Sequence, residues 1–82
     1  MHTMISFQLR GVDDWRVNDE REHQVGAIVR RQKLVGDQPW VGFSLIDNEG
    51  KETAWSGYWT GIETAAVLHF IVGPENARRN QC

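Results

Sequence analysis

The chain is organised around the stretch Thr60-Gly-Ile-Glu-Thr-Ala-Ala-Val-Leu-His-Phe-Ile-Val-Gly-Pro74. Most residues between its ends are apolar, which predicts a helix that is buried on nearly all sides. Thr60, with Glu63 three residues later, has the spacing of a capping box and predicts that the helix begins at Thr60. Gly73 and Pro74 predict its end, because glycine readily adopts the left-handed conformation past a helix and proline cannot continue one.

The apolar residues of this helix form two stripes at helical spacing. Ile62, Ala66 and Phe70 make one stripe, which is suited to packing on a sheet. Val67 and Ile71 make a second, roughly opposite stripe that would otherwise meet water. Because soluble monomers rarely expose a large apolar patch, we expect Val67 and Ile71 to form the interface of a homodimer. A partner protein would cover this stripe equally well.

The chain before the helix alternates between apolar and polar residues, which is the pattern of half-buried strands. This alternation predicts strands at 4–10, 24–33, 40–46 and 51–56, whereas 12–23 is either a solvated loop or a weaker strand through Trp15 and Val17. Turns are predicted at 37–39, after Gly36, and at Asp47-Asn-Glu-Gly50, where Gly50 is expected to adopt a positive φ. We therefore expect an α+β fold, with an antiparallel sheet of about four strands and one C-terminal α-helix packed across it.

Length and composition limit the class of protein. The chain has 82 residues, a formal net charge of −2 and a single cysteine, Cys82. We expect a single small α+β domain over 1–82, with a loose tail at 75–82, that needs no disulfide. No stretch approaches the ~20 apolar residues of a membrane span, so we expect a cytoplasmic protein without membrane contact.

Residues with catalytic or metal-binding chemistry are sparse. The histidines His2, His23 and His69 include no close pair of the kind that zinc sites use. Ser44 and Ser56 lack the Gly-x-Ser-x-Gly elbow and the base that nucleophilic chemistry needs. We therefore predict no enzyme activity, no cofactor and no metal site.

Four large aromatic residues, Trp40, Trp55, Tyr58 and Trp59, fall within one short part of the chain. In one interpretation they form the core beneath the helix. In the other, at least one of them is exposed and anchors a partner, since Trp and Tyr dominate binding hot spots. The second interpretation predicts a small non-catalytic protein that binds another protein, for example a phage or mobile-element inhibitor or adaptor of a host complex.

A local basic cluster, formed by Arg30, Arg31 and Lys33, supports an alternative function. With aromatic residues nearby, it is typical of surfaces that bind single-stranded nucleic acid. Acidic residues outnumber basic ones by 11 to 9, which favours a solvated strand end instead. Nucleic-acid binding through this strand edge is therefore the second hypothesis.

The second half of the chain also resembles a known family. The YegP-like family of small bacterial and archaeal domains is similar in Phe43-x-Leu45, Gly50-Lys51, Ser56, Tyr58 and an Ala-rich helix through Ala65 and Ala66. The chain is shorter than the family pattern between Ser56 and Tyr58. The resemblance implies a β-hairpin followed by a helix that lies on the sheet, and it implies no reaction, cofactor or catalytic residue.

Overall fold

The computed structural model describes residues 4–73, which form an antiparallel sheet followed by a helix. The strands pair in chain order and are β1 (Ser6–Leu9), β2 (Asp14–Asn18), β3 (Gln24–Val35), β4 (Gln38–Asp47) and β5 (Glu52–Ser56). Helix α1 spans Trp59–Val67 and continues as a π-helical turn over Leu68–Val72. The expected α+β class and the antiparallel sheet are confirmed, with five strands instead of about four.

The additional strand is β2, which forms within residues 12–23, where the sequence is compatible with either a solvated loop or a weaker strand. Trp15 pairs with Ile28 of β3 and Leu9 of β1, and Val17 is fully buried. Two apolar residues at alternate positions are thus sufficient to form a strand here, because the side chains of both lie on the side of the sheet that the helix covers.

Both tight turns in the long hairpins rest on residues with positive φ. Gly50 has φ 83°, as expected for the Asp47–Gly50 turn, and the Asp47 Oδ1 atom accepts hydrogen bonds from the backbone N–H groups of Glu49 and Lys51. The position predicted for the other turn, 37–39, is wrong. Gly36 and Asp37 make a two-residue turn with φ 57° and 66°, and β4 already begins at Gln38.

The structure moves the predicted start of the helix, whereas the helix ends where it was expected to, with Gly73 directly after its last residue, Val72. Tyr58, with extended backbone, precedes the first helical residue, and no side chain caps this end, so the Thr60–Glu63 capping box is wrong. Trp59 is held by aromatic contacts described below, which draws the start of the helix ahead of Thr60. The left-handed conformation expected for Gly73 is wrong: its φ is −57°, because the π-helical turn continues up to it, and Pro74 lies outside the described residues.

The core lies between the sheet and one face of α1. Its fully buried residues are Val17, Ile28, Leu45, Ile62 and Ala66. Phe70 extends the same stripe: a Cβ atom placed on Gly26 would lie 2.6 Å from its Cζ atom. The predicted packing stripe of the helix is therefore confirmed.

The helix is not buried on nearly all sides, as its apolar composition had suggested. Val67 remains 39% exposed and Leu68 55% exposed, on the side away from the sheet. The sheet thus has one face covered by the helix, called here the helix-side face, and one uncovered face, called the open face.

Candidate interaction surface

Strands β3 and β4 extend beyond the rest of the sheet as a two-stranded arm, defined here as residues 30–42. Pairing of β2 with β3 ends at Val29, and pairing of β4 with β5 begins only at Phe43. Among the strands of the described residues 4–73, β3 and β4 have each other as ladder partners between these points. Exposed apolar residues occupy the arm, namely Leu34, Val35, Trp40 and Val41. A two-stranded hairpin buries little on its own, and residues 34–41 at the end of the arm are all exposed.

An aromatic groove lies on the open face where the arm meets β5 and the start of the helix. It is a shallow depression of about 370 Å³, and its side chains come from Val35, Trp40, Trp55 and Tyr58. Trp40 is 46% exposed and Tyr58 is 70% exposed. The structure therefore brings together three of the four aromatic residues predicted to bind a partner.

Two glycines lie beneath the rings of this groove, and one of them, Gly42, makes room for a ring. A Cβ atom on Gly42 would lie 2.5 Å from the Trp55 Cζ2 atom, so the indole occupies the space of a missing side chain. At Gly57, a Cβ atom would lie 3.6 Å from the Cε3 atom of Trp40, which is ordinary contact. The floor of the groove is therefore backbone, and Trp55 is pressed closely against it.

A charged cluster borders the groove on the open face. The Glu52 carboxylate accepts hydrogen bonds from Lys33 Nζ at 2.5 Å and from the Ser44 hydroxyl at 2.5 Å, and Arg31 NH1 lies 3.5 Å away. Lys33 also lies above the Trp55 ring, 5.9 Å from its centroid. The hydrogen bonds from Lys33 and then Ser44 hold the pKa of the Glu52 carboxyl below its ordinary value.

The predicted basic cluster is divided between the two faces of the arm, because successive side chains of a strand point to opposite faces. Arg31 and Lys33 lie on the open face with Glu52. Arg30 lies on the helix-side face, where it is 3.3 Å from the Asp13 carboxylate and 5.6 Å from the centroid of the Phe43 ring. All three cations are therefore ion-paired, and they do not form one basic surface.

Trp59, the fourth aromatic residue predicted to bind a partner, lies on the helix-side face, apart from the other three. Its ring centroid is 5.6 Å from that of Phe7, 4.9 Å from that of Trp15 and 5.3 Å from that of Phe43. Edge-on and tilted contacts of this kind stabilise aromatic clusters. Trp59 therefore follows the core interpretation, whereas Trp40 and Tyr58 follow the surface interpretation.

The predicted dimer surface lies on the outer side of the helix. Val67 is exposed there, next to the more exposed Leu68, whereas Ile71 is half-buried. The structure thus places one of the two predicted interface residues clearly at the surface. Self-association through this side stays a prediction.

Sequence reasoning missed a second, polar depression at the far end of the open face. It has a volume of about 340 Å³ and is lined by Ser6, Gln8, Arg16, Asn18 and Glu22. Asn18 is only 5% exposed, and within residues 4–73 its Oδ1 atom and the Arg16 Nε atom have no hydrogen-bond partner. The alternation of Arg16 and Asn18 along β2 is the signal that could have placed them on one face.

Other kinds of site find little support in the described chain. Among residues 4–73 there is no group of three or more His, Cys, Asp or Glu side chains arranged to hold a metal ion. In the same part of the chain, no helix has both the length and the apolar character needed to cross a membrane.

Comparison with protein families, with curated proteins and with solved structures found no match to this chain. The resemblance to the YegP-like family stays a prediction.

Proposed function

We propose that this chain is a small non-catalytic binding protein that acts through protein–protein contact at the aromatic groove. The exposure of Trp40 and Tyr58 beside the packed Trp55 ring carries this proposal. Large aromatic side chains at a surface lose little conformational freedom on binding and bury much apolar area, so they serve as anchors.

The surroundings of the groove fit the usual anatomy of such an interface. Hot spots have an apolar centre and a polar rim that excludes water. Here the polar rim is formed by Lys33, Arg31 and Glu52, and Lys33 contacts the Trp55 ring directly. Because Glu52 balances only one of the two cations, the rim keeps a residual positive charge.

Nucleic-acid binding through Arg30, Arg31 and Lys33 is less well supported. A phosphate would have to displace Asp13 from Arg30 and Glu52 from the other two cations. Exposed ion pairs are weak enough to be displaced, but phosphate binding also favours a basic surface, and these residues are split between two faces. Contact of a protein with the aromatic rings of the groove does not depend on displacing these carboxylates.

A more specific form of this proposal is a cytoplasmic inhibitor or adaptor, encoded by a phage or mobile element, that blocks a host complex. A small domain with one exposed aromatic surface is suited to occupying a site on a larger assembly. Its action would need stoichiometric binding and no catalysis, which agrees with the composition of the groove.

Affinity capture from proteins of the native host tests the proposal when it is quantified with matched variants. A true partner should be retained by the wild type and by Val12→Ala, an exposed apolar residue outside the groove. It should be lost with Trp40→Ala and with Tyr58→Ala. Retention that is equal for all four proteins, or that nuclease treatment abolishes, would contradict the proposal.

A further inference from the structure

The edge of β3 within the arm has backbone groups that no other described strand uses. The Arg30 N–H donates to the Asp13 carbonyl at 2.9 Å, which shows that the backbone of Arg30 points away from β4. Since this direction alternates along a strand, the N–H and C=O groups of Gln32 and Leu34 point the same way. In the described chain, β2 pairs with β3 only as far as Val29, so these groups are free to pair.

The opposite edge of the arm is protected differently. Leu34 and Gln32, whose backbone groups point away from β4, are opposite Pro39 and Val41 in the register. The backbone groups of Pro39 and Val41 therefore point away from β3, toward the other edge of the arm. Proline has no N–H to offer, and edge prolines are a common way to prevent unwanted strand pairing. The arm therefore presents one edge that can accept a strand and one that is blunted.

We propose that the β3 edge of the arm accepts an extended segment of the partner protein, with acidic residues at two alternate positions. This inference rests on the proposed function and specifies the kind of partner. Strand addition of this type takes its affinity from main-chain hydrogen bonds and its specificity from alternate side chains.

The charges on the open face select acidic residues in the added strand. Arg31 and Lys33 are two positions apart on that face, and they share the single carboxylate of Glu52. Both side chains now reach across β4 to Glu52 on β5, and an added strand with an acidic-x-acidic sequence would offer each cation a carboxylate of its own on the other side. Opposite charges across neighbouring strands stabilise the pairing, whereas like charges destabilise it.

The same argument excludes a second copy of this chain as the occupant. When two β3 edges pair antiparallel with Gln32 opposite itself, Arg31 is opposite Lys33 on both sides of the axis. The neighbouring register places Lys33 opposite Lys33. Both arrangements bring like charges together, so the edge favours a different chain.

A synthetic peptide tests the inference without the natural partner. The probe is a capped peptide of sequence Thr-Val-Glu-Val-Glu-Val-Thr, titrated into ¹⁵N-labelled protein and followed by amide chemical shifts. We expect saturable binding at or below about 1 mM, with the largest shifts at Gln32 and Leu34. Leu34→Pro removes an outward N–H and should weaken binding roughly tenfold. Val41→Pro makes the same change on the other edge and should leave the affinity unchanged.

A charge exchange completes the test. The peptide with Lys in place of Glu should bind the double variant Arg31→Glu with Lys33→Glu, and it should not bind the wild type. Absence of binding to the wild type, or equal effects of Leu34→Pro and Val41→Pro, would overturn the inference. So would binding of a single-stranded oligonucleotide to the wild type that excludes the peptide and weakens steeply with salt.

Failure of this inference can be distinguished from failure of the proposed function. If a host partner is lost with Trp40→Ala but is retained with Leu34→Pro, the groove binds protein and the edge does not take part. If neither variant affects the partner, both proposals fail.

Discussion

The Trp55 ring fills the space that a side chain at Gly42 would need. A Cβ atom on Gly42 would lie 2.5 Å from both the Trp55 Cζ2 atom and the Ser56 carbonyl oxygen. The aromatic groove therefore depends on a glycine in the middle of β4, opposite Arg31 of β3. Glycine inside a strand often marks such a close approach.

Gly42→Ala should displace the Trp55 ring and lower the free energy of unfolding by about 1–3 kcal/mol, as overpacking does. Gly57→Ala is the matched control, because its Cβ atom would make only ordinary contact with Trp40. Chemical denaturation followed by tryptophan fluorescence measures both effects. Equal stability of the two variants would show that Trp55 is not held against Gly42.

Gly50→Ala should destabilise the protein by about 1 kcal/mol, because a left-handed conformation is costly for any residue with a Cβ atom. No atom of the described residues 4–73 lies within 4 Å of that Cβ position, so the cost comes from the backbone conformation. Gly11→Ala, which has ordinary space and no positive φ, is the control and should change stability by less. Thermal unfolding measures the melting temperatures of both variants. Similar melting temperatures would contradict the left-handed conformation of Gly50 in its turn.

Glu52→Gln should reduce the loss of stability in acid. The pKa of Glu52 is lower in the folded protein than its ordinary value, so its ionised form stabilises the fold above about pH 4.5. This contribution is lost as the pH falls through the folded-state pKa. The free energy of unfolding, measured from neutral pH downward, should therefore decline more steeply for the wild type than for the variant. Glu49→Gln, at an exposed turn residue, should retain the wild-type slope.

Much of the fold was predictable because it follows from local pattern. Alternation along β3 and β4 placed Ile28 and Leu45 on definite faces, and Gly50 marked its turn correctly. The stripe of Ile62 and Ala66 likewise identified the buried side of the helix. Each of these features depends on the residue type and its immediate neighbours.

The features that the sequence leaves open or misplaces depend on contacts between distant parts of the chain. The residues next to Trp40 and to Trp59 in the sequence do not show that one ring lies at the surface and the other in the core. The position of the Trp59 ring is set by its contacts with Phe7 and Trp15, which approach it only in the folded sheet. The same packing moves the helix start away from Thr60. The length of the arm could not be predicted either, because it depends on where β2 stops pairing with β3 and where β5 stops pairing with β4.

The exposed outer side of the helix predicts self-association. We expect the purified protein to be dimeric at high micromolar concentration by light scattering, because Val67 and Leu68 would otherwise remain in water. Val67→Glu should shift the protein to the monomer, and Val12→Glu, at an exposed residue away from the helix, should not. A wild type that is monomeric in the same measurement would exclude dimerisation through this side.

Calorimetric titration of the captured partner with the wild type, Trp40→Ala and Tyr58→Ala tests the central claim most directly. We predict that each substitution weakens binding by about 2 kcal/mol, the size of a hot spot, while the circular dichroism of the free protein stays unchanged. Val12→Ala should bind as the wild type does. Wild-type affinity in both groove variants would contradict the assignment of the aromatic groove as the partner-binding surface.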